Sequence, residues 1–317
     1  MKTPFEQGDG AAGAASSRVV SAQAVSIGVV LRCRLADYME LAKLRITGLV
    51  LFVTAVGFSL GSEGGIDLTL LANALIGTAL VACGANALNQ YLEREYDRLM
   101  RRTADRPLPA GRIAPAEALA FGCATAALGA LVLALLVNLF AATLALATLA
   151  LYLFAYTPLK RRVSMNTLVG AVPGAAPPLI GFAAAGNDLA PTAWLLFAIV
   201  FFWQMPHFFA IAWMYRDDYR RGGFRMLSVV DPSGGSTARQ TVAYSIALFA
   251  VSLLPAFITG AGGIYLLGAL VLGLLLLGMA MRLAVIRTVA SARAMLLTSV
   301  AYLPLLLLML LIDRLST

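Results

Sequence analysis

Histidine is almost missing from this 317-residue chain, which holds one, His207. Cysteine is scarce as well. Cys33, Cys83 and Cys123 lie far apart with no CxxC or Cys/His spacing, which excludes a disulfide framework and a zinc site. Charge is thin, with 13% charged residues against 60% hydrophobic and a mean hydropathy of +0.84. So little charge excludes a soluble domain and fits a polytopic membrane protein. The net charge is +8, yet the arginines sit in short loops between apolar runs, so nucleic acid is excluded as a partner. Residues 1–25 contain Glu6 and Asp9 and no long apolar core or Arg-rich pattern, which argues against a cleaved signal or a transit peptide and reads as a disordered tail.

What the chain does have is apolar length. A spanning helix needs about 20 mostly apolar residues, and nine runs meet that need, at 46–62, 68–92, 117–137, 139–157, 164–186, 190–214, 236–259, 263–284 and 292–312. The fold class expected is therefore all-α, with nine transmembrane helices. Before the first run, residues 28–45 mix Arg32, Arg34, Asp37, Glu40, Lys43 and Arg45 with apolar positions, as a helix lying along the membrane surface would. The division expected is a tail and interfacial segment over 1–37 and a single intramembrane domain over 38–317. The segment before span 1 and loops 2/3, 4/5, 6/7 and 8/9, with their flanking span ends, hold every Lys and Arg except Arg314. The positive-inside rule then predicts a cytoplasmic N-terminus.

Against this apolar background two knots of charge stand out. The first is NQYLEREYDRLMRRTADRP, residues 89–107. Asn89, Glu93 and Asp97 follow one another at four-residue spacing, so on a helix each steps about 40° from the last and all three share one face. Carboxylates at a membrane-facing helix end are costly and turn toward a bundle interior or a wet cavity. Amide and carboxylate oxygens suit Mg²⁺, which takes one or two protein carboxylates and completes its shell with waters and substrate phosphates. Arg101, Arg102 and Arg106 follow, with planar forks that suit phosphate oxygens. Acid for a metal beside arginine for phosphate points to a diphosphate; the alternative is a solvated, salt-bridged helix cap.

The second knot, MYRDDYRRGGFRML (214–227), ends span 6 in Asp217 and Asp218, followed by Arg220, Arg221 and Arg225. Four spans separate the knots, the spacing expected of two four-helix pseudo-repeats plus one further helix. Between them YTPLKRRVSMN brings Lys160, a point charge for phosphate, and Arg161 and Arg162, which set topology. The small-residue run GAVPGAAPPLIG (170–181) predicts close helix packing and a kink.

These residues resemble the UbiA superfamily of intramembrane prenyltransferases. Asn89, Glu93, Asp97, Met100, Arg102, Thr103, Arg106 and Pro107 match the family's first motif, and RPLPAGRI, YTPLKR and Asn166 extend the match, which covers about 38 to 313. WQMPHFFAIAWMYRDDY (203–219) is similar to the haem-modifying branch rather than the quinone branches. Glu93 stands where the family usually has Asp, Lys43-Leu44-Arg45 replaces Lys-Pro-Arg, and the second acidic motif is compressed to Asp217 and Asp218, leaving open which of the two meets a metal.

The resemblance implies a UbiA-type bundle; the tail without an Arg-rich pattern makes a bacterial inner membrane the expected location, with a mitochondrial inner membrane as the alternative, and the positive-inside rule turns the active site to the cytoplasm. It implies transfer of a farnesyl group from farnesyl diphosphate to a vinyl group of haem b, with water closing the sequence to give haem O and diphosphate. Mg²⁺ would be the cofactor, held by Asn89, Glu93, Asp97, Asp217 and Asp218, and Lys43, Arg45, Arg102, Arg106 and Lys160 would bind the diphosphate. The partners implied are the bilayer and a haem A synthase or another oxidase-assembly protein. His207 has two readings, a ligand for haem iron or a hydrogen-bonded packing residue. Prenylation of an aromatic or quinone precursor, and a transporter or non-catalytic haem-handling protein, are the competing functions. Transporter sites lie near the midplane, whereas both knots lie at a rim.

Overall fold

The computed structural model describes residues 31–186 and 188–316. Among them every regular element is helical, and nine helices are long and apolar enough to cross a membrane. A first helix, α1, covers 31–42. Span 1 is α2 (Leu44–Gly61), span 2 is α3 (Leu68–Asp97) and span 3 is α4 (Pro115–Leu136). Span 4 runs through α5 (Leu139–Ala150), a π-helical turn (Leu151–Tyr156) and α6 (Thr157–Leu159). Span 5 is broken into α7 (Asn166–Ala175) and α8 (Pro177–Ala184), and span 6 is α9 (Pro191–Met214). Two short helices, α10 (Arg216–Arg221) and α11 (Leu227–Val230), precede spans 7, 8 and 9, which are α12 (Gly235–Ile258), α13 (Gly263–Ile286) and α14 (Val289–Ser316).

The nine expected runs are thus the nine spans. The largest shift is at span 2, which continues five residues past its apolar run to Asp97 and carries the whole acidic face on one helix. Local chemistry explains the starts. The Asp67 carboxylate accepts from the Thr69 and Leu70 amides at 2.8 and 3.0 Å, and Asn138 caps span 4 through the Ala141 amide at 2.8 Å. Pro115, Pro177 and Pro191 occupy first-turn positions, where the missing N–H costs nothing.

Spans 1 to 4 pack each on the next, spans 5 to 8 repeat that order, and span 9 closes on spans 6 and 8. Spans 2 and 3 approach closely because small residues meet: a Cβ at Gly84 would lie 2.7 Å from the Gly122 carbonyl oxygen. The run 170–181 behaves as expected. Pro177 and Pro178 divide span 5, Gly57 of span 1 faces the Pro178 carbonyl, and Gly181 faces the Thr54 carbonyl. The largest apolar core joins spans 6 to 9 and takes Val53 and Val56 from span 1. Leu131, Leu135, Phe154, Leu267, Val271 and Leu297 stay exposed, as lipid-facing side chains do.

The expected boundary at 37/38 falls inside α1, and the tail 1–25 lies outside the described residues. The α1 helix is clasped to the start of span 3: Asp37 takes Arg112 at 2.7 Å, and Glu117 takes Arg34 at 2.9 Å and the Tyr38 hydroxyl at 2.5 Å. Gln90 and Asn86 of span 2 donate to the Leu41 and Ala42 carbonyls at 2.7 and 3.1 Å. The helix therefore lies across the basic end of the bundle, the end that carries loops 2/3, 4/5, 6/7 and 8/9.

Candidate active site

Span 2 delivers Asn89, Glu93 and Asp97 to that end in register, and they are 2%, 6% and 1% exposed. Buried carboxylates need partners, and the partners come from three other segments. Glu93 accepts from Lys160 Nζ at 2.8 and 3.1 Å. Asp97 accepts from Arg106 at 2.8 Å, while its carbonyl takes the Thr103 hydroxyl at 2.8 Å. Asn89 Nδ2 donates to Thr157 Oγ1 at 3.1 Å, and Lys43 Nζ stands 3.5 Å from Asn89 Oδ1.

The π-helical turn of span 4 explains how Thr157 and Lys160 arrive. The wider turn lets Thr157 donate back to the Tyr152 carbonyl at 2.9 Å while facing Asn89, and it sets Tyr156 beneath Lys160, with Nζ 4.6 Å from the ring centroid. Gly170 of span 5 makes room for the Tyr156 ring, which a Cβ there would overlap. Lys43 arrives by a different device. It sits between α1 and α2 at φ 50°, ψ 54°, a left-handed conformation unusual for a residue with a Cβ and costly at about 1–3 kcal/mol.

Lys43, Arg106 and Lys160 thus face two carboxylates, Glu93 and Asp97, and the cluster holds one surplus positive charge while Lys43 is protonated. Burial lowers the Lys43 pKa to about 7, and repulsion from Arg106 and Lys160 adds to the effect. Burial also opposes the charge on Lys160, but Glu93, Tyr156 and Tyr152 outweigh it and raise its pKa. The arrangement suits an anion whose charge exceeds what the two carboxylates already neutralise.

The second knot meets the first. The Arg101 amide donates to Asp218 Oδ1 at 3.1 Å, and Arg102 lies over the rings of Tyr215 and Tyr219 at 4.8 and 5.6 Å. Asp218 is 8% exposed and also pairs with Arg221. Asp217 points outward, its side chain 66% exposed and paired with Arg220 at 3.0 Å. Arg45 is exposed at the start of span 1. His207 lies deeper in span 6, against Ser299 of span 9.

Sequence reasoning passed over Thr157, Tyr156, the Asp37–Arg112 clasp and Ser299. Thr157 and Tyr156 lie inside a stretch already singled out, so their neighbours pointed to them. Nothing in the local pattern marks Ser299. Among the described residues no three of His, Cys, Asp and Glu gather into a ready-made metal cage. The donors at hand are hard oxygens on one helix face, a set that fits Mg²⁺ with substrate oxygens and water completing its shell.

An all-α membrane bundle with a buried, cation-matched acidic face at one rim defines an intramembrane enzyme for anionic substrates. The chain matches the UbiA prenyltransferase family over residues 50–310. A protoheme IX farnesyltransferase from Solibacter usitatus is 52% identical over 287 residues, spanning 88% of this chain and 98% of its own length. Another of that name from Salinibacter ruber is 47% identical over 277 residues, spanning 87% and 98%. Among solved structures, an apo UbiA homolog from Aeropyrum pernix K1 shares the fold at TM-score 0.70 and 22% identity, over 84% of this chain and 98% of that one. A UbiA homolog from Archaeoglobus fulgidus bound to GPP and Mg²⁺ shares it at TM-score 0.59 and 16% identity, over 86% and 99%. The chain belongs to the UbiA prenyltransferase family and is a membrane-embedded prenyltransferase.

Proposed function

We propose that this enzyme transfers a farnesyl group from farnesyl diphosphate to a vinyl group of haem b, giving haem O and diphosphate for the assembly of haem-copper oxidases. The relatives named protoheme IX farnesyltransferase, matched along almost their whole length, support the acceptor. The observation that carries the chemistry is the buried cluster of Asn89, Glu93 and Asp97 with Lys160, Arg106 and Lys43.

Lys43, Arg102, Arg106 and Lys160 bind the diphosphate and take up negative charge as the carbon–oxygen bond breaks. Arg45, exposed beside Lys43, steers the diphosphate inward. Asn89, Glu93 and Asp97 would hold Mg²⁺, with Asp218 rather than the exposed Asp217 as the acid from the second knot. When bound, the metal supplies Lewis acidity to the leaving diphosphate oxygens. The bond pair leaves with the diphosphate, the vinyl carbon closes a new carbon–carbon bond on the allylic carbon, and water then adds to the resulting cation and gives up a proton. The apolar bundle buries the isoprenoid chain at about 0.8 kcal/mol per CH₂, and it keeps water out until the new bond exists. His207 ligates the haem iron.

The basic end faces the cytoplasm by the positive-inside rule, in a bacterial inner membrane. A haem A synthase or another oxidase-assembly protein receives the product. The test is mass spectrometry of products after purified protein in detergent is given haem b, farnesyl diphosphate and Mg²⁺. Haem O that vanishes in Asp97→Ala supports both the reaction and the acidic motif. Intact protein that makes a prenylated aromatic compound and no haem O would overturn the acceptor.

A further inference from the structure

Span 6 is oriented by contacts on three sides. Gln204 Nε2 donates to the Ala171 carbonyl of span 5 at 3.2 Å. Phe202 and Phe209 lie 6.2 and 6.1 Å from the Tyr244 ring of span 7. Trp203 Nε1 donates to the Ser299 carbonyl of span 9 at 2.6 Å. At about 100° per residue, the sector between the span 5 and span 9 contacts, opposite span 7, holds Val200, His207 and Ile211. His207 lies about two turns before the end of α9 at Met214, and Asp218 lies on the next helix, α10.

The contacts at His207 favour one ring tautomer. Nδ1 is 2.9 Å from Ser299 Oγ. The Ser299 hydroxyl also lies 2.7 Å from the Leu296 carbonyl, and a carbonyl can only accept, so the single hydroxyl proton is directed there. With the hydroxyl proton on the Leu296 carbonyl, Ser299 Oγ accepts from His207 and Nδ1 is the protonated nitrogen. Nε2 keeps its lone pair, with no protein partner among the described residues. Trp203, 5.1 Å away and tilted by 30°, limits rotation of the imidazole, and Ser299 is fully buried.

We propose that Ser299 is a positioning residue: through its hydroxyl it holds His207 as the Nδ1–H tautomer and presents Nε2 as an axial ligand to the iron of the haem substrate. The proposal rests on the haem reading above. Histidines that bind metals donate their other ring N–H to an oxygen, which sets the ring's orientation and raises the basicity of the ligating nitrogen. Loss of such an acceptor lowers metal affinity by about 10- to 100-fold. The serine comes from span 9 and the histidine from span 6, so the ligand is poised only when the two helices are docked.

The experiment is resonance Raman and absorption spectroscopy of ferrous and ferric haem b bound to the full-length protein in detergent, comparing wild type with Ser299→Ala, Ser299→Thr and His207→Ala. Each variant is first checked for a single size-exclusion peak and an unchanged thermal midpoint. The wild type is expected to show an iron–imidazole stretch. Ser299→Ala should shift that stretch to lower frequency and weaken haem binding about 10- to 100-fold, Ser299→Thr should restore both, and His207→Ala should abolish the stretch. An unshifted stretch in Ser299→Ala overturns the proposal. So does a wild type that makes haem O with no imidazole on the iron, and in that case the haem-prenylating reading survives. Failure to bind haem or to make haem O at all defeats that reading and this inference with it. If Ser299→Ala does not fold, Ser299→Cys, which keeps the volume with a weaker acceptor, is expected to give an intermediate shift, and an unchanged stretch there is equally fatal.

Discussion

The two acidic knots look alike in sequence and differ in the fold. At the end of span 2, Glu93 and Asn89 find their partners in Lys160 and Thr157, two helices away in the chain, and Asp97 is 1% exposed. At the end of span 6, Asp217 and Asp218 pair with Arg220 and Arg221 one turn later, and Asp217 faces water. The first knot is a tertiary construction with desolvated charges, where removing one partner is costly. The second is largely a local helix feature, joined to the first through the Arg101 amide. Similar motifs in a pseudo-repeat therefore need not carry equal shares of a site.

The hardest test of this contrast is Lys160→Ala, which leaves Glu93 buried without its cation. We expect about 3–5 kcal/mol of destabilisation in detergent unfolding and loss of product. Lys160→Met with Glu93→Gln should recover most of the stability and none of the activity, and a double variant no more stable than the single one would show that the pair is not what the fold requires. Next in size, Asp97→Asn should lower turnover on the order of 10²- to 10³-fold. Asp218→Asn should cost about 10- to 100-fold and Asp217→Asn less than about 2-fold, measured as haem O formed per minute. Equal losses at Asp217 and Asp218 would erase the distinction between the outward and inward acids.

A gentler probe is pH. The Lys43 pKa, lowered from 10.5 to about 7, means that the fold disfavours its charged form. That penalty is fully present below about pH 7 and is relieved as the pH rises from about 7 toward 10.5. With Lys43 in its proposed role at the diphosphate, substrate binding has the opposite sign, because it would use the charge. The KM for farnesyl diphosphate should rise as the pH climbs through about 7, and Lys43→Arg, charged throughout, should flatten the profile. The smallest effect is expected at the exposed pair: Arg220→Ala should leave the thermal midpoint unchanged within error.

Much of this was legible along the chain because two periodicities govern it. Apolar length marked all nine spans, and four-residue spacing put Asn89, Glu93 and Asp97 on one face, where α3 carries them. Loop charge grouped the arginines at one end. What stayed hidden were pairings across the bundle. Nothing local told that Lys160 serves Glu93, that Asp37 clasps Arg112, or that Ser299 meets His207 across 92 residues.

By itself, then, the sequence determined the number of helices, the end of the bundle that carries charge and the chemical types gathered there, because hydrophobic length and helical period act within a single segment. Only the tertiary structure decided which cation neutralises which buried acid, which of two adjacent aspartates turns inward and which side chain the single histidine meets. The physical reason is desolvation. Inside a packed bundle every buried charge or polar atom must be matched at hydrogen-bond distance, and the match comes from whichever helix the packing brings alongside.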